Sequence, residues 1–126
     1  EALDRFGYAF GMAYQLHDDR QSLWAEAGET GKAVCGDIVE RKKTLPIVYT
    51  RDSLSEAKRA QFINLYKDST SSVEAILELI EETDARTYIN EKITTYKATA
   101  FSALEETSLS REKKDILIAF GNSLVP

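Results

Sequence analysis

The stretch from residue 84 to 106 constrains this chain most. Ala85, Ile89, Ile93, Tyr96, Ala100 and Ala103 recur at three- and four-residue steps, flanked by Tyr88 and Leu104. That rhythm puts them on one stripe of a long α-helix, with Thr83 as its cap. An apolar stripe must be covered by another layer, and the remaining sequence offers only helices. Residues 2 to 24 read as an amphipathic helix on Leu3, Phe6, Phe10, Ala13 and His17. Residues 25 to 37 carry three glycines and read as a loop. Pro46 suits the first turn of a short helix over about 45–51, where its missing N–H costs nothing. Ser55 caps a helix through "SEAKRAQFINLYK", and the Ser/Thr cluster at 69–72 opens one marked by Val73, Ile76, Leu77 and Ile80. Ser110 caps the closing segment, "LSREKKDILIAFGNSLV". No segment alternates in the manner of a strand, so the expected class is an all-α helical bundle or part of one.

The 126 residues suffice for one domain with a modest core. A composition of 43% hydrophobic and 29% charged residues is that of an ordinary globular protein. No apolar run approaches the ~20 residues that cross a bilayer, so no transmembrane segment is expected. The opening residues do not read as a basic-apolar leader, so secretion is not expected. The single cysteine, Cys35, makes no internal disulfide and fits a reducing, cytoplasmic setting. A net charge of -5 argues against broad nucleic-acid binding. The chain opens without Met and already in helical rhythm. An upstream part is therefore expected to be missing, and the apolar face of the first helix to need neighbours.

Chemistry concentrates in "YQLHDDRQSLW". Gly11, Gln15, Asp18 and Ser22 share one helix face, and Asp19 lies about 100° round from Asp18. Adjacent carboxylates repel and ionise more easily beside a cation. Magnesium takes oxygen ligands and often joins one or two protein carboxylates to substrate phosphates. An isolated Asp-Asp pair is usually just solvated. Here "GKAVCGDIVERKKTLP" follows, bringing Lys32, Asp37, Lys42 and Lys43. Lysines beside metal-bound phosphate neutralise charge that the metal leaves uncovered.

These blocks closely resemble the second aspartate-rich region of the trans-isoprenyl diphosphate synthases, the polyprenyl synthetase family. Gly11, Tyr14, Gln15, Asp18 and Asp19, then Gly31, Lys32, Asp37, Lys42, Thr44 and Pro46, stand in that family's order and spacing. The tail from "AFSALEETSLS" onward looks like the family's last two helices. The resemblance covers the whole chain but only the C-terminal portion of a usual member. It implies an isoprenoid-synthase-type helical bundle and Mg²⁺-dependent head-to-tail condensation of isopentenyl diphosphate with an allylic diphosphate. It also implies a helical homodimer or a heteromer. By that resemblance Asp18 is a Mg²⁺ ligand, Asp19 supports it, and Asp37 acts in the outer shell. Lys32 contacts the allylic diphosphate, Lys42 adds positive charge at the substrate, and Gln15 is a polar contact near the reacting carbon.

Departures accompany the match. Ser22 stands where the family has its third aspartate, and Arg20 and Gln21 replace residues that are usually apolar. Tyr14 replaces a usual Phe. Nothing of the family's first aspartate-rich motif is in this chain, so the segment alone is not expected to catalyse prenyl transfer. Three readings stay open: a prenyltransferase; a non-catalytic partner subunit of a heteromeric synthase, favoured by Ser22; and a class I terpene cyclase, disfavoured by the "GK…D…K-x-T-x-P" block. Structural roles are expected for His17, for Trp24 as anchor of the first helix, and for Tyr88 and Tyr96 as packing residues. A reactive Cys35 beside Lys32 is the lesser expectation. "GETGK" lacks the spacing of a phosphate-binding loop, and "ELIEETD" reads as a solvated helix end.

Overall fold

The periods above dictate helices, and the computed structural model of the protein contains no other regular element among its described residues, 1–25 and 35–126. In chain order these are α1 (Ala2–Trp24), α2 (Gly36–Val39), α3 (Leu45–Ser53), α4 (Glu56–Lys67), α5 (Val73–Glu81), α6 (Ala85–Glu105) and α7 (Arg111–Leu124). The helix starts are chemical. Ser55 Oγ accepts the Lys58 N–H, Ser72 Oγ that of Ala75 and Ser110 Oγ that of Lys113, at 3.4, 3.2 and 3.4 Å. Each satisfies a first-turn donor that has no partner within its helix. Thr83 Oγ1 accepts from the Ala85 N–H at 3.2 Å, so it satisfies a first-turn donor of α6 from one position before Asp84, whose carbonyl takes the Tyr88 N–H. Pro46 is the second residue of α3, where no intrahelical N–H is needed.

Two sequence expectations need correction. Of the loop expected over 25–37, residues 26–34 lie outside the described residues, and at its end Gly36 and Asp37 belong to α2. Four residues are too few to show a period, so no pattern could reveal that turn. The buried stripe of α1 also differs. Ala9, Ala13, Leu16 and Leu23 are buried, whereas Leu3 is 51% exposed.

The chain divides into two compact units, and α1 and α6 each contribute to both. The first comprises residues 1–17 and 90–126. It buries Ala9, Ala13, Leu16, Ile93, Ala100, Ala103, Leu104 and Val125. Gly121 of α7 makes close packing possible there. A methyl group in its place would lie 3.0 Å from the Phe10 ring and 3.1 Å from that of Phe101. Arg5 pairs with Glu106 at the surface of this unit.

The second unit, residues 18–89, holds the larger core. Leu23, Cys35, Ile38, Ile47, Leu54, Phe62, Ile76, Leu79, Ile80 and Ala85 are buried together. Trp24, half-buried, packs on that core, and its Nε1–H donates to Glu81 Oε1 at 2.6 Å. It therefore anchors the end of α1, as its position predicts. Tyr88 stacks on Tyr49 with ring centroids 4.1 Å apart, which bears out its packing role.

Candidate functional site

All the acidic residues singled out by the sequence fall in the second unit. Asp18 is half-buried on α1 and Asp19 is 5% exposed; neither lacks an interaction partner. A carboxylate as deeply buried as Asp19 persists only when paired. Ser22 follows on the same helix, and its Oγ accepts the Asp37 N–H at 2.9 Å. This contact spans fifteen positions of sequence and joins the end of α1 to the first turn of α2.

Asp37 in turn faces Lys42. Lys42 Nζ lies 3.5 Å from Asp37 Oδ1 and 3.2 Å from Glu40 Oε2. The Asp37 side chain is 14% exposed, while that of Lys42 is 55% exposed. The two acids hold the Lys42 ammonium above its ordinary pKa, Glu40 first and Asp37 after it. Lys42, cationic across the physiological range as any exposed lysine is, thus stands between two carboxylates.

The segment after α2 is held firmly. Arg41 adopts a left-handed backbone, φ 56°, which costs a residue with a Cβ about 1–2 kcal/mol. Its guanidinium offsets that cost by donating to the carbonyls of Ile38, Asp68 and Ser71 and to Ser71 Oγ. The hydroxyl of Tyr66 donates to the Lys42 carbonyl, and Arg41 lies over the Tyr66 ring. Burial pushes the Tyr66 phenol up to about 12. The chain from Asp37 to Lys42 is thus pinned at both ends, by Ser22 and by Tyr66.

Lys32 and its neighbour Gly31 lie outside the described residues. Gln15 is exposed on α1 and belongs to the first unit. His17 is half-buried and has a partner. Cys35 is buried at 4%, its thiol lies 3.7 Å from the Leu23 carbonyl, and burial raises its pKa. A raised pKa favours the unreactive thiol, which agrees with the greater expectation that Cys35 is not reactive. Ser22 as an acceptor for Asp37, and Arg41 and Tyr66 as the clamp, carried no signal in the sequence. Their partners are remote in sequence, and no local spacing encodes them.

Among the described residues no three His, Cys, Asp or Glu side chains gather into a group able to hold a metal ion. Two carboxylates nevertheless suit Mg²⁺, which keeps several waters and shares its shell with substrate phosphate. The donor set fits that mode and not an all-protein cage.

The polyprenyl synthetase family profile matches residues 1–83. A geranylgeranyl diphosphate synthase of Mycobacterium tuberculosis is 48% identical over 56 residues, 44% of this chain and 16% of the relative. The heptaprenyl diphosphate synthase component 2 of Bacillus subtilis is 35% identical over 85 residues, 68% of this chain and 24% of the relative. A polyprenyl synthetase structure from Streptomyces coelicolor superposes with a TM-score of 0.85 at 24% identity, covering 99% of this chain and 40% of that one. That likeness shows the shared all-α fold. The chain thus spans a quarter or less of these two curated relatives.

Proposed function

The chain belongs to the polyprenyl synthetase family, and from that premise we propose that it is the C-terminal portion of a single all-α prenyltransferase domain. The intact protein, acting in the cytoplasm as a homodimer or within a heteromer, condenses isopentenyl diphosphate with an allylic diphosphate. The product is a longer prenyl diphosphate. One observation carries this reading: the family match takes in both motif blocks, from Gly11 to Pro46.

Asp18 and Asp19 would hold Mg²⁺, with Asp37 in its outer shell. Bound Mg²⁺ would supply charge neutralisation to the departing diphosphate. Lys32 contacts the allylic diphosphate, and Lys42 adds a second positive charge where negative charge accumulates. Gln15 is a polar contact near the reacting carbon. In the reaction the allylic C–O bond breaks and its electron pair leaves on the diphosphate. The isopentenyl double bond attacks the allylic carbon, and a proton is then lost. The Asp37–Lys42 ion pair supports the role given to Lys42, because it places the ammonium beside the proposed outer-shell carboxylate.

A second reading, a non-catalytic partner subunit with a degenerate aspartate motif, is favoured by Ser22 in place of a carboxylate. The deciding experiment incubates the intact protein with Mg²⁺, isopentenyl diphosphate and an allylic diphosphate, and identifies products by mass. Elongated prenyl diphosphates are expected. Recovery of both substrates unchanged would shift the assignment to the partner subunit. Consumption of the allylic diphosphate without isopentenyl diphosphate would point to a cyclase.

A further inference from the structure

The first turn of α2 presents backbone donors that no i→i−4 bond can satisfy. Its cap residue, Cys35, has a left-handed backbone, φ 56°, and supplies no side-chain acceptor. The Cys35 carbonyl takes the N–H groups of Ile38 and Val39, at 3.0 Å each. The Asp37 N–H needs an acceptor from elsewhere, and Ser22 Oγ provides it from α1 at 2.9 Å. Ser22 therefore caps a helix to which it does not belong. Asp18 and Asp19 lie on the same helix, four and three positions before Ser22. A carboxylate at position 22 would stand one turn from both, at the spacing where like charges repel on a helix. A hydroxyl accepts the same N–H without that repulsion.

We infer that Ser22 is a positioning residue. By holding the Asp37 backbone it sets where the Asp37 carboxylate and its partner Lys42 stand relative to Asp18 and Asp19 on α1. The departure from the aspartate pattern is thus an exchange of a charged group for a neutral tether. This inference rests on the prenyl-transfer reading and deepens it.

The test compares intact wild-type protein with Ser22→Ala, which removes the acceptor, and Ser22→Thr, which keeps it. Two readouts need no turnover. The first is hydrogen–deuterium exchange of the peptide carrying residues 36–39. The second is the dependence of the melting temperature on Mg²⁺ in the presence of inorganic pyrophosphate. Exchange in Ser22→Ala should quicken roughly fivefold, the size expected for one lost hydrogen bond. The Mg²⁺ concentration giving half the melting shift should rise by a similar factor, and Ser22→Thr should restore both. In the product assay, the Mg²⁺ requirement should rise in Ser22→Ala and return in Ser22→Thr. Unchanged exchange in Ser22→Ala overturns the tether. Faster exchange with an unchanged Mg²⁺ requirement overturns the positioning role and leaves a structural contact. If wild type yields no product but Mg²⁺ and pyrophosphate still stabilise it in a Ser22-dependent way, catalysis falls and the positioning role stands. If Mg²⁺ and pyrophosphate do not stabilise wild type, the positioning role falls, and the product assay alone decides the prenyl-transfer reading.

Discussion

Tyr66 carries several jobs on one ring. It stacks on Phe62, lies under Arg41, and donates its hydroxyl proton to the Lys42 carbonyl. Burial raises its phenol to about 12 from an ordinary value of 10.0. The folded state therefore keeps the proton longer than the unfolded chain. Its contribution to stability is fully present below pH 10 and is lost as pH rises through about 12. Tyr66→Phe should flatten the loss of stability over that window and cost about 1 kcal/mol at neutral pH for the missing hydrogen bond. Denaturant melts of the two proteins at pH 8 and at pH 11.5 check both halves. Equal alkaline sensitivity in the variant would remove Tyr66 as the cause. At this scale the sequence exposed Asp18 and Asp19 because they are adjacent and periodic with Gln15. It hid the contact of Ser22 with Asp37, because a hydrogen bond between remote residues leaves no mark on local spacing.

Helices α4, α5, α6 and α7 were legible because their capping residues and apolar steps agree. Ser55, Ser72 and Ser110 each accept the first-turn N–H that a cap requires. The buried positions of α6 lie on the stripe read from the sequence. The buried face of α1 departs from the stripe that its large apolar residues suggest, because alanines form much of it. Ala9 and Ala13 are almost wholly buried while Leu3 and Tyr8 are exposed. Small residues mark close packing, and Gly121 shows the limit of it. Gly121→Ala would gain about 1 kcal/mol of helix propensity. The new methyl would meet two aromatic rings at 3.0 and 3.1 Å, an overpacking cost of about 1–3 kcal/mol. The net expectation is a loss of about 1 kcal/mol and a Tm lower by about 2–4 °C in the intact protein. Differential scanning calorimetry beside the exposed control Asn122→Ala reads this directly. A rise in Tm for Gly121→Ala would mean that the Phe10 and Phe101 rings move aside.

Across the whole molecule, each unit buries its own apolar residues, and the three proposed carboxylates are not members of the apolar core cluster. Only Asp19 among the three proposed carboxylates is buried below a tenth exposed. Removing Mg²⁺ with EDTA should therefore abolish product formation in the intact protein while leaving its far-UV circular dichroism unchanged. Readdition of Mg²⁺ should restore turnover. A loss of helix signal on chelation would show that the metal also holds the fold. No helix among the described residues is long and apolar enough to cross a membrane, in line with the sequence. By itself the sequence determined the all-α class, most helix boundaries and the order of the motif residues. Those follow from local physics: apolar period, capping chemistry and spacing along one chain. Only the tertiary structure decided which groups satisfy one another. The Asp37 N–H found Ser22, the Lys42 carbonyl found Tyr66, and Arg41 closed the turn at Asp68–Ser71. Such pairings arise because buried polar groups must be matched wherever the packing of helices leaves them, and that packing is set by the whole chain.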